Sequence, residues 1–135
     1  MKILLDTHVI IWSLTDDPRL TEEARLIISN KNNIVCYSLV SMWEIAIKNH
    51  KSPDRCPYNE IEVAGYCANA GYEPITLRLE HIGGLRNLVA DAETQIVNND
   101  PFDRLLIAQA KTEGAYIMSH DTRFSAYNEP CIMHI

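Results

Sequence analysis

Four acidic residues are spaced to do chemistry together: Asp6, Glu44, Asp103 and Asp121. Two bare carboxylates about 4 Å apart repel by roughly 4 kcal/mol at an effective dielectric of about 20, so a cluster of four needs a cation among them. Oxygen ligands alone suit Mg²⁺ or Mn²⁺, whereas thiolates and imidazoles would favour zinc. Such ions keep bound waters, which can serve as nucleophiles for phosphodiester hydrolysis.

Each acid also has a purely architectural reading. Asp6 suits the N-cap of a helix beginning near Val9. Ser41-Met42-Trp43-Glu44 fits a capping box, unless the helix begins earlier, at Ser38. Asp103 sits at the third position of its helix, where a carboxylate is favoured by the macrodipole by about 0.3–1 kcal/mol. Asp121 can open a tight turn. What favours chemistry is that all four fall on one edge of the same expected sheet.

That expectation rests on the elements that must carry them. Ile3-Leu4-Leu5 is a short buried strand ending at Asp6, followed by a helical run over Val9 to Leu14 and the turn Asp16-Asp17-Pro18. Thr21 caps a second helix that ends at Asn30-Lys31-Asn32-Asn33, and Ile34 to Tyr37 is a second strand. Ser38 to Lys48 has helical periodicity, with Met42 and Ile45 facing inward and Trp43 and Ile47 as further inward candidates. Asn59 to Ala70 is a helix stopped by Gly71, and Glu73 to Leu77 a third strand. Leu79 to Leu88 reads as helical despite Gly83-Gly84. Asp100 as N-cap and Pro101 at the first position start the clearest helix, which runs to Gly114. Ala115 to Met118 and the tail Cys131 to His134 supply the last strands. Alternating strands and helices predict a single α/β domain over residues 1–135 with a mainly parallel sheet, whose ligands bind at the carboxyl ends of the strands.

Composition narrows the functional classes. The chain has 135 residues, 47% hydrophobic and 22% charged, enough for one core without disulfides or a structural metal. The opening apolar run is too short for an export signal, and no stretch approaches the roughly 20 apolar residues of a membrane span. Cys36, Cys56, Cys67 and Cys131 lack CxxC spacing and read as reduced thiols, so the expected compartment is cytoplasmic. His8, His50, His81, His120 and His134 show no zinc-binding spacing. A formal charge of -6 opposes a domain that grips nucleic acid through phosphate contacts alone. A bound cation would supply positive charge where it is needed. Arg104 fits either a solvated charge or a partner for a site acid or a phosphate, whereas Lys111 reads as solvated. Tyr37, Trp43 and Phe102 are candidates for base stacking, with packing as the plainer role.

Four blocks of sequence together resemble the PIN-domain nucleases of the VapC toxin family. They are Leu4-Leu5-Asp6-Thr7-His8, Ser41 to Lys48, Asp100 to Ala110, and Ser119-His120-Asp121-Thr122-Arg123-Phe124. The resemblance implies a three-layer α/β/α fold, a Mg²⁺- or Mn²⁺-dependent endoribonuclease, a homodimer and control by a small antitoxin protein. It makes Asp6, Glu44, Asp103 and Asp121 the acidic metal-binding residues, with Asp6 and Asp103 holding the principal metal and Glu44 and Asp121 acting through water. Thr7 matches a position that supports the first acid.

The chain departs from the family pattern at Asn98, where related sequences commonly have His, and at Asn49-His50-Lys51-Ser52-Pro53, where they have Gly-Lys-Leu. Extra residues between His81 and Asp100 imply a longer loop beside the site. Two other classes fit parts of the sequence. A phosphoryl-transfer enzyme of another α/β family wants a second Asp at the position of His8. A PIN-like module that binds a protein partner without catalysis needs none of the acids.

Overall fold

The computed structural model describes residues 1–135. Five strands, β1 (Lys2–Leu5), β2 (Ile34–Ser38), β3 (Glu73–Ile75), β4 (Tyr116–Ser119) and β5 (Ile132–His134), form one parallel sheet in the order β3-β2-β1-β4-β5. The helices are α1 (Thr7–Thr15), α2 (Glu22–Ser29), α3 (Leu39–Lys51), α4 (Glu60–Asn69), α5 (Leu79–Gly83) and α6 (Pro101–Glu113), with 3-10 turns at Gly84–Asn87 and Thr122–Ala126.

The sheet is buried on both faces, which is why β1 reads as unbroken Ile-Leu-Leu rather than alternating polar and apolar. Ile3 and Leu5 pack with Val35, Tyr37 and Met118 against α1, α2, α4 and the inner face of α3. Leu4 points the other way, joining Cys36, Ile117 and Phe124 against α6. Two helical layers therefore enclose the sheet, giving the three-layer α/β/α architecture expected from the sequence.

The chain builds outward from β1 in one direction through β2 and β3, then returns to the other side for β4 and β5. The carboxyl ends of β1 and β4 thus flank the switch in strand order, where open parallel sheets leave a crevice. The backbone N–H of Asp6 donates to the Met118 carbonyl at 3.0 Å, carrying the ladder to the last residue before α1.

Local signals set most helix ends. Thr21 accepts from the Ala24 N–H, Asn59 and Glu62 close a reciprocal capping box, and Asp100 accepts from the Phe102 and Asp103 N–H groups. Gly114 ends α6 with φ of +64°, a conformation that suits glycine.

Four expectations need correction. No capping box forms at Ser41, because Ser38 caps α3 and Glu44 lies beyond its first turn. Trp43 and Ile47 face outward, since the helix beginning at Leu39 turns Val40, Ser41, Met42 and Ile45 inward. The third strand stops at Ile75, short of Leu77. The expected helix Leu79 to Leu88 breaks at Gly83-Gly84 into α5 and a 3-10 turn. The four thiols are unpaired, and no helix is long and apolar enough to cross a membrane.

Phe124, fully buried, anchors the 3-10 turn that follows Asp121. Truncation of Phe124 to Ala is expected to cost about 3–5 kcal/mol through lost burial and the cavity left behind, read as a lower urea midpoint at unchanged m-value.

Candidate active site

Asp6 leaves the end of β1, Glu44 lies on α3, Asp103 on the first turn of α6, and Asp121 just after β4. All four line one cleft of about 180 Å³, together with His8, Lys48 and Arg123. The clustering expected from the sequence is therefore present in space.

The four acids occupy two different environments. Asp6 and Asp103 are only 4% and 6% exposed, and no cation approaches Asp6 within ion-pair distance. Burial, reinforced by the charges on Glu44 and Asp121, pushes the Asp6 carboxyl up to about 6, against two hydrogen bonds that favour its ionised form. These come from the Ser119 hydroxyl at 2.8 Å and the Thr7 N–H at 2.7 Å. Burial raises Asp103 to about 7, with Asp6, Asp100 and Asp121 adding to the effect and a hydrogen bond from the Asn98 amide opposing it. That bond is 3.0 Å long.

The outer acids are instead neutralised. Lys48 lies 2.9 Å from Glu44, whose other oxygen accepts from the Thr7 hydroxyl at 2.6 Å. The Arg123 guanidinium grips Asp121 at 2.8 Å and holds its carboxyl below the usual range. It also reaches Asp103, more loosely, at 3.7 Å. Burial and the nearby Lys48 charge hold His8 below the ordinary imidazole value.

The architectural roles weighed for these acids coexist with the cluster. Asp6 caps α1 through Oδ1 while its Oδ2 faces Ser119. Asp121 caps the 3-10 turn by accepting from the Arg123 N–H. Asp103 is not the cap of α6, a task performed by Asp100, so its carboxylate is free of that duty. Arg104 stands apart from the cleft: it donates to the Tyr127 hydroxyl at 2.8 Å and lies over the Tyr127 ring. Lys111 is not simply solvated, because it pairs with the buried Glu129 at 2.6 Å. Tyr37 is core, whereas Trp43 is exposed and meets the Phe102 ring edge-on at the cleft rim, 4.9 Å between centroids.

Sequence reasoning left four contributors without a role. Lys48 could have been found from its i,i+4 spacing to Glu44. Arg123 follows Asp121 by two residues, a spacing that permits a local ion pair. Asn98 stood out only as a departure from the pattern, yet it is buried and bonds Asp103. Ser119 links the two strand ends, donating to Asp6 and accepting from the Asp121 N–H at 3.0 Å. That link spans distant parts of the chain and has no local signature.

The donor set suits a hard divalent cation. The donors at the centre are carboxylate oxygens; Asp6 has no cation within ion-pair distance and Asp103 only the loose contact with Arg123. The side chains are not gathered into a ligating cluster of three or more.

An α/β domain with carboxylates gathered at the switch point of a parallel sheet is the class that fold and site define. The chain belongs to the PIN-domain family, whose pattern matches residues 3–130. Its fold is similar to that of a chain in the crystal structure of VapBC2 from Rickettsia felis bound to a DNA fragment from their promoter. The TM-score is 0.70 at 18% identity, covering 100% of this chain and 98% of that one. A chain of DNA-bound VapBC from Salmonella typhimurium matches with a TM-score of 0.66 at 18% identity over 99% and 98% of the two chains. A chain of a toxin-antitoxin complex from Klebsiella pneumoniae gives 0.59 at 18% identity over 98% and 99%. At such identities the likeness is one of fold. No protein of curated function matches the sequence.

The raised acids make a prediction with a definite sign. A carboxyl whose folded-state value exceeds its unfolded value near 3.8 binds more protons folded than unfolded between the two. The metal-free protein should therefore lose stability as pH rises from about 4 to about 7. Asp103→Asn should raise metal-free stability at pH 8 by about 1–3 kcal/mol and shrink the gain on adding Mn²⁺, both read from melting curves.

Proposed function

We propose that this chain is a Mg²⁺- or Mn²⁺-dependent endoribonuclease and the toxin of a toxin-antitoxin pair. The observation that carries the reading is the convergence in one cleft of four carboxylates from separate elements, two of them buried without full countercharge. Asp6 and Asp103 would hold the ion, with Glu44 and Asp121 acting through water. When bound, such an ion supplies charge stabilisation for the phosphoryl oxygens and a water of lowered pKa.

The chain's own groups divide the remaining work. Ser119 and the Thr7 N–H fix both oxygens of Asp6, so its carboxylate keeps one orientation. Thr7 and Lys48 hold Glu44 between them, fitting it to orient the attacking water. Arg123, already bent over Asp121 and Asp103, can turn a guanidinium edge toward a phosphate at the mouth of the cleft.

The partner follows from the company the fold keeps. The solved structures it resembles are titled as VapBC or toxin-antitoxin complexes, which supports a small antitoxin protein as the partner of this chain. We read the working form as a homodimer: Leu39, Trp43 and Ile47 form an exposed apolar row at helical spacing on α3, a surface that a second copy would cover.

The deciding experiment is cleavage of a mixed RNA pool by the purified chain in Mg²⁺ or Mn²⁺, with EDTA and Asp6→Ala as controls. Cleavage should vanish in both. Failure to bind Mn²⁺ at all would remove the proposed site. Ser119→Ala, which deprives Asp6 of one hydrogen-bond donor, should lower metal affinity by about 10–100-fold without abolishing folding, measured by Mn²⁺ titration.

A further inference from the structure

Beside the acidic cleft lies a second cavity of about 230 Å³ whose wall carries cations in place of acids. Arg19, Lys48 and Arg55 line it together with His8, Trp12 and Tyr58, and no Asp or Glu contributes to its wall. In a chain of net charge -6 such a concentration of cations is unexpected from composition. His8 and Lys48 line both cavities, so the two are neighbours.

The cations are differently prepared. Arg19 is held by the forked carboxylate of Asp17, at 3.0 and 2.8 Å, and lies over the Trp12 ring, 4.9 Å from its centroid. Its guanidinium is thereby oriented before anything binds. Arg55 lies two residues beyond the Asn49–Pro53 stretch that departs from the family pattern, and its side chain makes no ion pair or hydrogen bond within the chain. Cys56, Pro57 and Tyr58, from the same stretch, complete that side of the cavity.

We propose that this basic pocket seats a backbone phosphate of single-stranded RNA next to the phosphate that enters the acidic cleft, with Arg55 as its principal contact. The proposal rests on the nuclease reading and deepens it. A polynucleotide has the required repeat: one phosphate facing the carboxylates through their ion, and a neighbour meeting the bare guanidinium of Arg55 beside the Asp17-held Arg19. Arginine forks match phosphate oxygens in pairs, and the Tyr58 ring offers an apolar surface for the adjoining base. The shared wall with the cleft favours RNA over an acidic peptide, which has no reason to extend into a site lined by five acids, Asp100 included.

The test is the affinity of a short fluorescein-labelled single-stranded RNA of mixed sequence for the full chain, followed by anisotropy across a salt series, with Ca²⁺ replacing Mg²⁺ to hold the strand uncut. Arg55→Ala should weaken binding roughly 10-fold and reduce the slope of log affinity against log salt by about 0.7, the value for one phosphate contact on a single strand. Arg55→Lys should restore part of the affinity, and Mn²⁺ titration of both variants should match the parent chain. RNA affinity and salt slope unchanged in Arg55→Ala and Arg55→Glu overturn the proposal, as does a parent chain that binds no RNA. Arg55-dependent binding of poly-glutamate alongside Arg55-independent binding of RNA assigns the pocket to an acidic peptide and also overturns it. RNA-pool cleavage by the parent is scored separately, so a failed nuclease reading and a failed phosphate seat give different results.

Discussion

Two carboxylates buried at the end of a parallel sheet set the terms for everything around them. Asp6 and Asp103 are taken out of water in one cleft, one at the end of the central strand and one on the first turn of a helix. Burying a charge without a partner is costly, and a protein offsets it with hydrogen bonds, with countercharge or by holding a proton. This chain uses the first sparingly. Ser119 and the Thr7 N–H reach Asp6, and Asn98 reaches Asp103, but burial still outweighs those bonds and both acids sit well above the ordinary carboxylate range. The unsatisfied remainder leaves the centre of the cleft short of positive charge.

The countercharge is deployed one step further out. Lys48 and Arg123 pair with Glu44 and Asp121, the more solvated acids, and thereby limit the total repulsion without quenching the centre. Had either cation been bonded closely to Asp6, the carboxylate would have been ionised and already spoken for. Placement of the cations at the rim also puts positive charge at the mouth of the cleft, which a domain of net charge -6 cannot achieve through its overall field. The polar and charged groups thus separate into an inner pair short of positive charge and an outer ring that is balanced.

Local sequence carried the acids well and their supports poorly. Asp6, Asp103 and Asp121 are legible because each follows a short-range signal, the abrupt end of an apolar strand or an Asp-Pro start to a helix. Glu44 became legible once the helix was allowed to start at Ser38 rather than Ser41. Ser119 and Asn98 were opaque because their hydrogen-bond partners depend on how separate elements stack, and a serine at a strand end or an asparagine in a loop has many innocent uses. Arg104 stayed ambiguous for the same reason: it neighbours Asp103 in sequence, but one residue along a helix is a turn of about 100° away, and that direction leads to Tyr127. Trp43 failed on phase, since its position on α3 is fixed by a cap that apolar periodicity alone does not reveal.

Asn98 shows how a departure from a family pattern can keep a hydrogen bond while changing how it responds to pH. An imidazole at that position would be a donor whose own charge changes near neutral pH, so the electrostatics beside Asp103 would vary with two titrations. The amide donates the same kind of hydrogen bond with no charge at any pH. It is also held firmly: its Nδ2 reaches Asp103 and the Arg123 carbonyl, while its Oδ1 accepts from the Asp100 N–H. One side chain from the long loop therefore fixes the inner acid, the cap of its helix and the backbone of the rim arginine together. The charge on Asp103 is left to burial, to neighbouring carboxylates and to whatever cation enters, and the loop that looked like an insertion becomes part of the wall that enforces this.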